Sequence, residues 1–327
     1  MNRYYQWALF ALAAGVGSIV WASASPATAL PGALIIGSAS VPLAVLAAVA
    51  GRLSVRPPWA ALIGGATVGV GVAIVSHAAV FAFAYAFFLG FADAGSSLLE
   101  ALRVDSRLTT VLGSPWTILL LVELVAVAPI TEEIGKALGA RLARPPDRRH
   151  AFMAGVAAGV GFAIVENCLY ATGAIWAAYP WEALLTGRTL GSAVHPLASG
   201  LVFVAWWQYR NGESRRSYIR DFAIGAGVHA LWNGALVALT VAATAFEIGA
   251  TPVDPTIVSL AYTGALGAIA AGSLWIVTAN VAADRDEVPE LTALDGRVVA
   301  GWTVVAASLL FPVAVLIVAF PGFVAGT

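Results

Sequence analysis

Nine apolar stretches, each long enough to cross a bilayer, follow one another through this chain with only short connections between them. About 20 mostly apolar residues span the hydrocarbon layer as a helix, and with no water there the backbone must satisfy its own hydrogen bonds. The stretches lie at approximately 5–22, 31–50, 59–91, 114–140, 151–174, 190–209, 221–245, 256–280 and 298–319. They predict an all-α fold, a polytopic bundle of about nine transmembrane helices forming a single integral membrane domain over 1–327. The residue make-up agrees: 60% of residues are hydrophobic and 11% charged, against roughly a quarter charged in a soluble protein. A net charge of −1 with no long run of either sign gives no reason to expect nucleic acid as a partner. Cys168, the only cysteine, excludes an internal disulfide and a thiolate metal cluster, and reads as a packed side chain.

Basic residues set the orientation, because cytoplasmic loops retain Lys and Arg. A cytoplasmic N-terminus places thirteen arginines on that side and leaves only Arg103, Arg107 and Arg188 outside, with the C-terminus outside the cell membrane. The first stretch is either a span or a signal peptide, since its short apolar run after Arg3 leads into the small residues at 22–29. The third stretch is too long for one straight span and predicts a kink or extension. The fourth contains Pro129, which has no N–H to give the helix ladder, so a bend is expected just before Glu132.

Ionisable groups at membrane depth are costly enough to mark function by default. Glu132 and Lys136 are four residues apart on one helix face, in the favourable order for an ion pair, while Glu133 points about 100° away. One carboxylate is then held by the lysine and the other faces a cavity, unless all three reach water at a helix end. In the fifth stretch Gly155 and Gly159 make a face that lets another helix approach closely. Glu166 and Asn167 follow, about 24 Å along the helix from His150 and beyond the reach of its end. His229 and Asn233 share a face at i, i+4 beside Trp232; imidazole exchanges protons near neutral pH and an amide can donate to an oxyanion. His195 precedes Pro196 near the outer end of the sixth stretch, either as a site residue or as a helix start. His77 and His150 have no partner at helical spacing and read as unremarkable.

Glu132-Glu133-x-x-Lys136, Phe162-x-x-x-Glu166-Asn167, His195 and His229-x-x-Trp232-Asn233 together resemble the four successive motifs of the PrsW family of intramembrane proteases. That family is similar to the CAAX-prenyl endopeptidases and the bacterial CPBP proteins. The resemblance covers about Pro129 to Asn233, within an expected four-helix catalytic core at 114–245 flanked by helices in 1–113 and 246–327. It implies hydrolysis of a peptide bond in a membrane-anchored protein substrate, such as an anti-sigma factor, at the bilayer. It also implies that Glu132 or Glu133 is the general base and that His229 and Asn233 hold the tetrahedral intermediate. Substitution of Glu133 by Gln is expected to abolish cleavage with folding intact. Where the CAAX-type pattern has a histidine, this chain has Glu166.

Glu133, Glu166, His195 and His229 would also suit a divalent metal such as zinc, with an open position for water. Glutamic and metal-dependent chemistry both remain open, so either no cofactor or a divalent metal is expected. Straight helices place Glu133 and His229 roughly 10 Å nearer the cytoplasm than Glu166 and His195, which tilts, unequal extensions or a bend at Pro129 must close. Two other readings use the same groups: an ion-coupled transporter or proton relay, and a non-catalytic scaffold. The first would favour paired broken helices, which the sequence does not display. The second has no use for so many costly polar groups.

Overall fold

A computed structural model describes residues 3–24, 26–91, 115–176, 181–212, 214–248 and 255–283, and every element in them is helical. In chain order these are α1 (Arg3–Ala24), α2 (Pro26–Leu53), α3 (Trp59–Gly64), α4 (Val70–Phe91), α5 (Pro115–Val122) and α6 (Ala128–Ala140). Then come α7 (Arg148–Trp176), α8 (Trp181–Leu190), α9 (Val194–Arg210), α10 (Arg215–Ile248) and α11 (Pro255–Ala283). Among the described residues, six segments are long and apolar enough to cross a membrane: Arg3–Ala22, Gly32–Leu53, Trp59–Ala84, Arg148–Gly173, Leu184–Arg210 and Ala261–Ala282. That is fewer than the nine expected. The stretches at 114–140 and 221–245 are helical wherever they are described, and 298–319 lies outside the described residues. Trp7, Phe10 and Val16 on α1 and Ile74, Val75 and Phe83 on α4 are exposed, as side chains facing lipid would be.

Two helices are interrupted by single π-turns. Gly65–Gly69 joins α3 to α4 inside the overlong third stretch, and Glu123–Val127 joins α5 to α6. In the second, the Ala128 N–H reaches back five residues to the Glu123 carbonyl. The carbonyl of Leu124 would need the N–H of residue 129 to continue that pattern, and residue 129 is proline. Its acceptor is satisfied instead from another helix, by the Asn233 Nδ2 of α10 at 2.9 Å.

The centre of the bundle is α7, which packs on α9, α2 and α3. Asp147 caps its start, its Oδ1 accepting the His150 N–H at 2.9 Å. Burial pushes that carboxyl up, but the N–H and ring of His150 hold it below its ordinary value. The expected small-residue face is used: a Cβ on Gly155 would meet the Ser199 carbonyl, and one on Gly159 the His195 carbonyl. Elsewhere Gly161 lies against the Leu62 carbonyl, and Gly64 against Gly139. Backbones thus approach closely around the polar residues, fixing α9 on α7 at the height of His195. Gly159→Ala forces backbone apart at that point. We expect it to cost about 1–3 kcal/mol, read as a lower melting temperature in detergent; an unchanged melting temperature would refute this packing.

Candidate active site

Glu132, Glu133 and Lys136 all lie on α6 and are all buried, with Lys136 and Glu133 wholly inaccessible. A snorkelling helix end is therefore excluded for them. The Lys136 Nζ donates to Glu133 Oε1 at 2.8 Å and to Glu132 Oε2 at 3.3 Å. It holds both acids rather than only Glu132, and more closely the one expected to be free. The same ammonium is 3.0 Å from His195 Nδ1 and lies 3.9 Å from the centroid of the Phe162 ring. An aromatic face and three lone-pair donors around one cation offset part of its desolvation.

Glu133 is saturated with short bonds. Besides Lys136, it accepts from Ser199 Oγ at 2.7 Å through Oε2 and from His229 Nδ1 at 3.0 Å through Oε1. Glu132 is held more loosely, with His229 Nε2 at 3.6 Å from Oε2. On the other side of the cluster, His195 Nε2 lies 2.9 Å from Glu166 Oε2. Arg188 from α8 forms an ion pair with that same oxygen, and its Nε donates to Asn167 Oδ1 at 3.4 Å. Asn167 in turn donates to the Ser38 carbonyl on α2 at 3.5 Å. Trp232, expected beside the site, is buried with its ring against Gly191, at the break between α8 and α9.

His195 joins the two expected polar layers, touching the Lys136 cluster with one nitrogen and Glu166 with the other. Its ring stands 4.7 Å from that of His229, edge to face. Much of the anticipated 10 Å gap disappears because α10 begins at Arg215, before the expected start of its span. His229 therefore lies about 21 Å along its helix, close to the depth of His195 on α9.

The geometry also brings together a group of side chains that could hold a metal. Single ligand atoms of Glu132, His195 and His229 lie within 4.8 Å of one another. Of the four ligands expected from sequence, the two imidazoles fall in this set; Glu133 and Glu166 instead grip the far nitrogens of those imidazoles. His229 Nδ1 donates to Glu133, which leaves a lone pair at Nε2, whereas the His195 Nδ1 lone pair accepts from Lys136 Nζ, which a metal bound there would have to displace. Two imidazoles and a carboxylate, each imidazole backed by another carboxylate, is a donor set that suits zinc. Glu132, Glu133 and the partly buried Glu166 meet only two cations in their ion pairs with Lys136 and Arg188, an excess of negative charge that would favour a cation here.

Asn233 has one amide hydrogen on Leu124, so its packing links it to the π-turn as well as to the neighbourhood of His229. His77 does have partners, contrary to its reading from sequence. Its Nδ1 is 2.5 Å from Glu123 Oε1 and its Nε2 is 3.7 Å from Glu132 Oε1. Glu123, Ser199 and Arg188 were likewise not foreseen. Arg188, one of the three arginines that the charge distribution places outside, turns its charge inward onto Glu166. For Ser199 the sequence held a signal, four residues after His195 on the same helix face.

A model of the PrsW family of intramembrane metalloproteases matches residues 57–263. No protein of curated function and no solved structure matches the chain.

Proposed function

The chain belongs to the PrsW family of intramembrane metalloproteases, and from that membership we propose that it cleaves a membrane-associated protein at the Glu132–His195–His229 cluster. The convergence of these three residues carries the reading. The helices from 114 to 245 supply the chemistry, and those in 1–113 and 246–327 flank them. The N-terminus lies in the cytoplasm and the C-terminus outside the cell membrane, as the arginine distribution favours.

In this reading Glu132, His195 through Nδ1 and His229 through Nε2 would hold a divalent ion such as zinc. Such an ion supplies Lewis-acid polarisation of water and of the scissile carbonyl. Glu166 and Glu133 fix the tautomer and aim of the two imidazoles, as carboxylates behind ligating histidines do. Ser199 and Lys136 hold Glu133 in place, and Arg188 holds Glu166. Of the two adjacent glutamates, Glu132 is the reactive one. Glu133 has its lone pairs committed to three short bonds, whereas the contacts of Glu132 are all longer than 3.2 Å. Its Oε1 faces His77, whose ring is partly exposed. It takes the proton of the attacking water there and returns it to the departing amine. Asn233 supports the π-turn behind α6, and its second amide hydrogen stays available to a developing oxyanion.

The test is cleavage of a transmembrane reporter by purified protein, with and without 1,10-phenanthroline. We expect chelation to lower the rate by at least about a hundredfold and added zinc to restore it. Undiminished cleavage under chelation would overturn the metal-dependent part. Failure to cleave any membrane reporter would overturn the whole.

A further inference from the structure

Glu123 is a costly residue to bury. It is 2% exposed, it sits in a π-turn, and its Oε2 is buried without a hydrogen-bond partner. A carboxylate at membrane depth and an unsatisfied buried oxygen each cost stability. Neither the motifs nor the chemistry so far uses it.

The π-turn explains how Glu123 reaches its place. In an unbroken α-helix, Glu123 and Glu132 would be nine residues apart and on opposite faces, about 180° from each other. One extra residue taken up by the turn reduces that to about 80° and brings both acids toward α4. There His77 stands between them, its Nδ1 at 2.5 Å from Glu123 and its Nε2 at 3.7 Å from Glu132 Oε1. Glu132 needs such a neighbour. The last torsion of a glutamate is soft and sets no preferred carboxylate plane, so the plane is fixed by whatever meets its two oxygens. Lys136 and His229 meet Oε2, and His77 meets Oε1.

We propose that Glu123 and His77 form a positioning pair that fixes the carboxylate plane of Glu132. Glu123 aims the ring, and the ring aims the acid. This inference rests on Glu132 being a ligand and the proton acceptor, as argued above. His77 and Glu123 act through that residue and do not themselves touch the scissile bond.

The experiment compares the full-length unmodified protein with His77→Leu, His77→Gln and Glu123→Gln. One readout is zinc affinity, from competition with a chromogenic chelator; the other is kcat and KM for a fluorogenic transmembrane peptide that the unmodified protein cuts. His77→Leu is expected to weaken zinc binding and lower kcat by about 10- to 100-fold each, with KM unchanged. His77→Gln restores an N–H toward Glu132 and is expected to recover most of both losses. Glu123→Gln, which keeps shape and an acceptor for the ring, is expected to lie between. Wild-type zinc affinity and kcat in His77→Leu would overturn the proposal. So would equal losses in the Leu and Gln variants that follow only their melting temperatures. If the unmodified protein neither binds zinc nor cuts the peptide, the reading of the site falls and takes this inference with it; an active unmodified protein with indifferent variants removes this inference alone.

Discussion

Glu132→Gln is expected to lower cleavage by about a thousandfold or more while the protein stays folded and inserted. The neighbouring Glu133→Gln is expected to lose only about 10- to 100-fold, the scale of removing a carboxylate behind a ligating histidine. The difference comes from how the two acids are held. In the proposed mechanism, an amide at 132 removes a ligand and the proton acceptor from the point where His195 and His229 converge. An amide at 133 still accepts from one of the three donors that surround that residue and loses the charge that orients His229. Rates for the two variants on the same transmembrane reporter decide the matter. Comparable losses, or a greater loss at 133, would return the base to Glu133, the residue whose substitution the sequence singled out.

The second large effect is on stability. Lys136→Met leaves Glu132 and Glu133 side by side in a dry interior without their common cation, and breaking a buried pair in this way costs about 3–5 kcal/mol. Two of the groups that the ammonium touches, Glu132 Oε2 and His195 Nδ1, are also the ones a metal would meet. Zinc should therefore recover part of the loss, about 2.7 kcal/mol at a concentration 100 times its Kd. Thermal unfolding in detergent with and without zinc measures both. A variant as stable as the parent without metal would show that Lys136 is not the cation holding these acids together.

What could be seen from the sequence was what repeats along one helix. Gly155 and Gly159 announced a close helix contact, and His195 and Ser199 supply the partner backbone. The unusual length of the third stretch and the proline of the fourth both fell where helices are interrupted, by π-turns at Gly65–Gly69 and Glu123–Val127. Pairings between distant segments were hidden. Glu123 and His77 lie 46 residues apart, and Ser199 and Glu133 lie 66 apart, so no local period joins them. Lys136 was legible as a partner for Glu132, but its wider role was not, because its contact with His195 crosses from α6 to α9. The depth of His229 stayed open for a simpler reason: depth counted from an assumed helix start carries the error of that start, and α10 begins earlier than its hydropathy suggests, one of the unequal extensions that the sequence allowed.

The bond from Asn233 to the Leu124 carbonyl spans 109 residues of chain, so the order of synthesis sets when this part of the bundle can be completed. While the nascent polypeptide emerges, the segment that bears the acids reaches the bilayer long before the residue that completes its interrupted turn. Until α10 arrives, neither that turn nor His229 is in place. A chain cut short before α10 would carry the acids without His229 and without the amide that satisfies the Leu124 carbonyl.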